Sequence, residues 1–290
     1  MIGSTAWDDA SVVAATSVQE AVATLERLGG RAAPLAGGTW IMRAPGRSEQ
    51  PCATYVDVRA IDELSVLDVA GERARVGAGV THRRLAALAP DGSLDVVREA
   101  AAASAFPAVR SVATVGGNIA AADFAEADLV PALLAADADV ELASGDGRSV
   151  EPLAAYLPRR SASAAPLIAA VLVPRAAGRR SAYERLTIRG GGEYAVAAVA
   201  LSLDLDGDGV VVAARLALGA VEATARRFDE EAQELVGHRV GDGPARAVGE
   251  ALAGACAARE DDAAPAWYRR TVLPALVERA AARIAAGGAA

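Results

Sequence analysis

The sequence predicts an α+β protein built from three units: two α/β units over residues 1–57 and 58–177, then an α+β domain over residues 178–290. Three observations carry this reading. Short apolar strand patterns alternate with helical periodicity as far as Val173. After Tyr194 the order changes, with strand patterns first and helical patterns following. The chain has 290 residues and is 53% hydrophobic, more than one average domain needs for its core.

In chain order, Ser17-Val18-Gln19-Glu20 forms a capping box. Val18, Ala21, Val22, Leu25 and Leu28 then recur at helical spacing until Gly29-Gly30 stops the helix. Ala32 to Ala36 reads as a strand ending at the tight turn Gly37-Gly38. Tyr55–Val58 and Ala74–Val80 read as strands, and Thr81 caps a helix through Leu88. Residues 95–105 are helical in pattern. Val109 to Val115 then reads as an approach strand into Gly116-Gly117-Asn118, followed by an Ala-rich helical stretch through Ala136. A strand at 138–143, the turn Gly145-Asp146-Gly147 and a strand at 167–173 close the second unit. Strands at 194–205 and 210–218 flank Asp206-Gly207-Asp208-Gly209, which has hairpin-turn chemistry and lacks the spaced carboxylates and closing Glu of a calcium loop. Helices are expected near 228–236, 243–257 and 267–285, with a frayed Ala/Gly-rich tail after Ile284.

Composition removes several function classes. With 37 acidic and 29 basic residues, a net charge of −8 and no long basic run, nucleic acid is not an expected partner. Met1 to Glu20 has no basic segment before an apolar stretch, and no run there approaches about 18 consecutive apolar residues, so a cytoplasmic protein without a membrane span is expected. The two cysteines, Cys52 and Cys256, are about 200 residues apart, and the two histidines are His82 and His238, which leaves no iron–sulfur or zinc ligand spacing. Redox chemistry here needs a borrowed cofactor.

Two segments carry the functional signal, Leu35-Ala36-Gly37-Gly38-Thr39 and Ala113-Thr114-Val115-Gly116-Gly117-Asn118. Each sets paired glycines after an apolar strand pattern, where missing Cβ atoms let backbone N–H groups converge on an anion such as a pyrophosphate. Thr39, Thr114 and Asn118 add polar side chains. Neither segment is Gly-x-Gly-x-x-Gly or ends in Lys-Ser/Thr, which counts against nicotinamide and ATP folds. Taken alone, two Gly-Gly pairs among 28 glycines are also what two ordinary tight turns look like.

The two segments resemble the paired FAD-binding motifs of the medium subunit of carbon monoxide dehydrogenase and the flavin domain of xanthine dehydrogenase. Val109–Ala113, Val76–His82, Tyr183–Leu186, Tyr194–Ala200, Arg215–Val221 and Trp267–Arg270 continue the likeness in the same order over nearly the whole chain. The resemblance implies a vanillyl-alcohol-oxidase-type FAD-binding fold formed by the two α/β units, and a C-terminal module like that of the carbon monoxide dehydrogenase flavoprotein. It implies FAD held without a covalent bond by Leu35, Ala36, Gly37, Gly38, Thr39 and Trp40 in one turn, and by Thr114, Val115, Gly116, Gly117 and Asn118 in the other. Asp128 matches the family's ribose-binding Asp, with Asp123 and Glu126 as reserves. Ile168 matches an aliphatic cofactor contact, Arg185 a lysine near the flavin, and Tyr194 an aromatic residue beside the isoalloxazine ring.

Three departures stand out. Trp40 takes the place of a small or polar residue, Phe124 takes the place of a proline, and the spacing from Asn118 to Asp128 is one residue longer than usual. No catalytic or metal-ligating residue is expected in this chain, and His82 reads as a capping or packing residue. The resemblance further implies a molybdenum-binding large partner carrying molybdopterin and a small partner carrying [2Fe–2S] clusters, assembled as a dimer of heterotrimers. Two other readings stay open: a stand-alone FAD-dependent oxidase or dehydrogenase of a small molecule, and a non-catalytic α/β module that has lost FAD.

Overall fold

The structure, a computed structural model, describes residue 7 and residues 10–160, 166–187 and 194–287. Residues 288–290 of the tail expected to fray lie outside them. The first unit contains β1 (Ser11–Ala14), α1 (Val18–Leu28), β2 (Ala32–Leu35) and β3 (Thr54–Asp57). Its strands pair in parallel in the order β1-β3-β2, with α1 as the crossover. Ser17 Oγ accepts from the Glu20 amide at 3.1 Å. The Glu20 carboxylate reaches back one residue further than a capping box requires, to the Thr16 amide at 2.8 Å. The periodic face of α1, Val18, Ala21, Val22 and Leu25, is buried. Between β2 and β3 the chain runs through a 3-10 helix, Ile41–Arg47.

The second unit holds β4 (Leu67–Asp68), β5 (Arg73–Gly77), α2 (His82–Ala86), α3 (Asp95–Ala103), α4 (Pro107–Arg110), α5 (Val115–Ala120) and α6 (Leu129–Ala135). It continues with β6 (Asp139–Ser144), β7 (Gly147–Pro152), α7 (Leu153–Tyr156) and β8 (Leu167–Pro174). Its five-stranded sheet, β4-β5-β8-β6-β7, is antiparallel at every pairing, so local alternation of strand and helix does not here produce a parallel sheet. The expected approach strand at Val109–Val115 is instead α4 and a turn. Pro107 sits at the helix start, where its missing N–H costs nothing, and only the isolated bridge Thr81↔Thr114 is strand-like. All seven residues of α6 are buried. One continuous apolar core joins the first two units, from Leu25 and Val56 to Leu133 and Val140.

The third unit is a four-stranded antiparallel sheet followed by helices. Its strands are β9 (Arg179–Thr187), β10 (Ala195–Leu205), β11 (Val211–Gly219) and β12 (Arg226–Arg227), in the order β12-β11-β10-β9. The helices are α8 (Asp229–Ala232), α9 (Ala245–Ala255), α10 (Ala266–Thr271) and α11 (Leu273–Ala285). Asp206 Oδ1 accepts the amides of Asp208 and Val210 at 2.9 Å each, which makes the acidic loop a hairpin turn. A second core lies between this sheet and α9 and α11, including Leu201, Leu216, Leu252 and Leu276. The sheet is tied to the second unit where Ser181 Oγ accepts from the Val96 amide at 3.0 Å and donates to the Gly92 carbonyl at 2.6 Å. That contact sets β9 against α3 and brings Tyr183 and Arg185 up to the start of α6.

Candidate functional site

A cleft of about 440 Å³ is lined by both glycine turns, a volume within the range of small-molecule sites. The turns meet because glycine permits it. A Cβ on Gly37 would lie 2.0 Å from the Val112 carbonyl oxygen, a backbone atom that cannot swing away. A Cβ on Gly116 would lie 2.7 Å from Ala78 Cβ, where the Gly116 amide donates to the Ala78 carbonyl at 2.8 Å. The first turn is thereby pressed onto the residue pair that leads into the second.

The two turns differ in what they offer a ligand. The backbone N–H groups of Gly37, Gly38, Thr39 and Trp40 have no acceptor among the described residues. Four consecutive unengaged donors on the lining of a cleft are the kind of group that an anion cradle is built from. In the second turn the amides from Val115 to Asn118 are already engaged, and only that of Thr114 has no acceptor among the described residues. Val115 donates to the Val80 carbonyl at 3.0 Å, Gly116 to Ala78, Gly117 to Thr114 Oγ1 at 3.2 Å, and Asn118 to the Thr114 carbonyl at 2.9 Å. Gly116 and Gly117 stand in the first turn of α5 rather than after a strand, and Thr114 is the cap of that helix. Asn118 Oδ1 accepts from the Leu129 amide at 3.2 Å, which ties α5 to α6. A run of unengaged backbone donors, expected in both turns, is therefore found only in the first, while the second keeps the single amide of Thr114.

Of the remaining candidates, Ile168 on β8 lines the cleft and is buried. Leu35 and Val115 hold their turns in place without lining it: Leu35 ends β2 opposite Asp57, and Val115 is fully buried. Asp128, Arg185 and Tyr194 also lie outside the lining. The Asp128 carboxylate accepts the Tyr183 hydroxyl at 2.7 Å and pairs with Arg185 at 3.2 Å, and Arg185 also donates to the Ala103 carbonyl. Burial pushes the Asp128 carboxyl up to about 6, with Arg185 and the Tyr183 hydroxyl pulling the other way. Asp128 thus joins the second unit to the third, while two other carboxylates line the cleft, the exposed Asp123 and Glu49, the latter paired with Arg47.

Two of the departures noted in the sequence meet in space. Trp40 and Phe124 stack with ring centroids 4.4 Å apart and an interplanar angle of 25°, and Phe124 and Tyr194 meet in a T-shaped pair with centroids 5.6 Å apart. The Arg47 guanidinium lies 3.7 Å from the Trp40 ring centroid, and Arg43 lies over Tyr194 at 5.1 Å. Trp40 therefore packs against protein groups while still lining the cleft. His82 is buried with Nδ1 2.7 Å from Ser104 Oγ, and burial, with the Arg110 charge nearby, lowers it to about 4, so it is neutral at pH 7. Arg160 and Tyr156 also line the cleft and were missed. Arg159-Arg160 reads in sequence as a solvated pair, and no local pattern separates the inward residue from its neighbour.

Comparison with known proteins adds the family. Residues 8–176, which contain every cleft-lining residue, match the FAD binding domain in molybdopterin dehydrogenase, and residues 181–284 match the CO dehydrogenase flavoprotein C-terminal domain. The chain belongs to this family. It is 32% identical to the carbon monoxide dehydrogenase medium chain of Afipia carboxidovorans over 276 residues, covering 92% of this chain and 93% of that one. The glyceraldehyde dehydrogenase medium chain of Sulfolobus acidocaldarius is 26% identical, over 95% of this chain and 98% of the relative. A solved structure of reconstituted CO dehydrogenase from Oligotropha carboxidovorans superposes with a TM-score of 0.85 at 30% identity, covering 99% of each chain. As a member of the family, the chain is an FAD-binding medium subunit of molybdenum hydroxylase-type dehydrogenases.

Proposed function

We propose that the cleft holds FAD non-covalently and that the chain is the electron-delivering subunit of a molybdenum hydroxylase. Electrons would come from [2Fe–2S] clusters in a small partner and leave to an external acceptor, while a molybdopterin-bearing large partner oxidises the substrate. The dimer of heterotrimers belongs to the same reading. One observation carries it: the run of unengaged amides from Gly37 to Trp40, in a turn that a single added methyl on Gly37 would push off the Val112 backbone. The residues present fit a dinucleotide, and the medium-chain relatives support the partners.

In this reading residues 1–57 and 58–177 clasp the cofactor, and residues 178–290 brace the second unit through β9. The amides of Gly37, Gly38, Thr39 and Trp40 hold the pyrophosphate, with Ala36 closing the turn. Gly116 and Gly117 let the second turn approach closely, and Thr114 and Asn118 keep α5 in register with α6. Asp123 takes the direct ribose role expected of Asp128, which together with Arg185 and Tyr183 positions α6. Ile168 excludes water from the inner wall. Bound FAD supplies the exchange between one-electron arrivals and two-electron departures. This chain's two cysteines cannot ligate a four-cysteine cluster, which supports an electron source in another chain.

Stopped-flow reduction of the isolated, FAD-loaded chain tests this division of labour. Its flavin should be reduced by artificial one-electron donors and not by any organic substrate of the parent complex. Rapid bleaching by an organic substrate with no other subunit present would replace the proposal with a stand-alone oxidoreductase.

A further inference from the structure

Two arginines line the cleft, and they are in opposite electrostatic situations. Arg47 is fully engaged: it makes two 2.5 Å hydrogen bonds to Glu49, donates to the Trp40 carbonyl at 3.1 Å and covers the Trp40 ring. Arg160 donates from Nη2 to the Ala122 carbonyl at 2.8 Å, while its Nη1 is buried and has no hydrogen-bond partner among the described residues. No carboxylate among the described residues is within ion-pair distance of it; Asp123 acts on its charge only from further away.

Two other arginines also carry a buried nitrogen without a hydrogen-bond partner among the described residues, and each is neutralised: Arg175 by Asp91, and Arg269 by Asp261 at 2.6 Å. Arg160 stands apart from them. A guanidinium kept partly out of water with one fork unfilled is costly in the empty protein, and burial accordingly lowers its hold on the proton. Such a cost is retained where a ligand relieves it, and the group that relieves an arginine fork is an anionic oxygen.

We propose that Arg160 is a cofactor-binding residue whose free Nη1 receives an anionic oxygen of the bound dinucleotide. This rests on the cleft being the FAD site. Two sources carry that chemistry, a phosphoryl oxygen and the pyrimidine end of the flavin ring, which becomes anionic on reduction.

The experiment uses the full chain as wild type, Arg160→Gln, Arg160→Lys and Arg159→Gln. FAD and ADP are titrated into the cofactor-free protein, the midpoint potential of bound flavin is measured, and unfolding of the cofactor-free chain is followed in urea. Losing a charge-assisted hydrogen bond should weaken FAD binding by about 10- to 100-fold in Arg160→Gln, with partial recovery in Arg160→Lys. Arg159 pairs with Glu151 on the surface, so Arg159→Gln should bind as wild type does.

An equal fall in ADP affinity assigns the contact to the phosphoryl group. Unchanged ADP affinity with a more negative midpoint potential assigns it to the ring. In either case Arg160→Gln should unfold no earlier than wild type when cofactor-free, because the residue removed has no anionic partner; a merely structural arginine would lower that midpoint and leave affinity alone. Wild type that binds FAD with Arg160→Gln within twofold of it in both affinities and unshifted in potential overturns this inference alone. Wild type that binds neither ligand overturns the FAD site as well.

Discussion

Gly37→Ala is the smallest perturbation that reaches the cleft without touching a side chain. The added Cβ would stand 2.0 Å from the Val112 carbonyl oxygen and 2.7 Å from its carbon, whereas ordinary contact begins at 3.4 Å, so the two turns must part by roughly 1.4 Å. Both sides of the clash are backbone, and the cost falls in the range of overpacked interiors, about 1–3 kcal/mol of stability. The displaced residue is the first of the four with unengaged amides. Losing one amide–phosphate hydrogen bond costs about 1.5–3 kcal/mol, which is about 10- to 100-fold in affinity. Flavin fluorescence titration reads the second quantity and urea unfolding of the cofactor-free chain the first. Gly30→Ala is the control, because nothing lies within 4 Å of its added Cβ. A Gly37→Ala protein with wild-type FAD affinity and a wild-type unfolding midpoint would refute both the closeness of the turns and the cradle built on it.

Two further outcomes follow from the charged groups. His82 falls to about 4 in the folded chain from 6.5, so its contribution to stability, about 3 kcal/mol at most, is full above pH 6.5 and lost as pH falls toward 4. Asp128, raised from 3.8 to about 6, has the opposite sign: its contribution is full below about pH 4 and is lost as pH rises through 6. His82→Gln should therefore expose a fall in urea midpoint with rising pH between 4 and 6, and an unchanged profile would remove the burial argument. Asp123→Ala should weaken FAD and ADP by about tenfold, while Asp128→Asn should lower the unfolding midpoint and leave both affinities within about threefold; the reverse order would return the ribose role to Asp128.

How much of this was legible in the sequence depends on the range of the interaction involved. The Ser17 cap, the Thr81 cap and the Asp206–Gly209 turn are local chemistry, and each is found where the residues imply, whereas the Thr114 cap lies where a strand was expected. Strand pairing is not local, so the antiparallel sheet of the second unit was not visible in its alternation of elements. Arg179–Thr187 went unassigned as a strand because its charged residues are satisfied by distant partners, Arg179 by Asp204 and Glu184 by Arg283. The paired glycines look alike in sequence, yet a Cβ on Gly37 meets backbone at 2.0 Å while one on Gly117 meets only the Thr114 hydroxyl at 3.0 Å. The same limit separates Asp123 from Asp128. Both precede α6, and only the position of β9 decides which carboxylate is used up.

The departures at Trp40 and Phe124 are better understood as one feature than as two. A proline at position 124 could not return the face that Trp40 stacks on, and a small residue at 40 would leave the Phe124 ring without its partner. The pair joins the first unit to the second, as Gly37 against Val112 and the α1-bearing core also do. Each of these contacts borders the cleft or supports a turn that lines it, so a ligand bound there stabilises the joint between the units as well as its own site. Mass action then applies to the whole arrangement: at a ligand concentration of about 100 times Kd the folded chain gains about 2.7 kcal/mol. In that account the uncompensated Arg160 and the open amides of Gly37 to Trp40 are weak points of the empty protein that cofactor binding converts into contacts, which couples FAD loading to the integrity of the cleft.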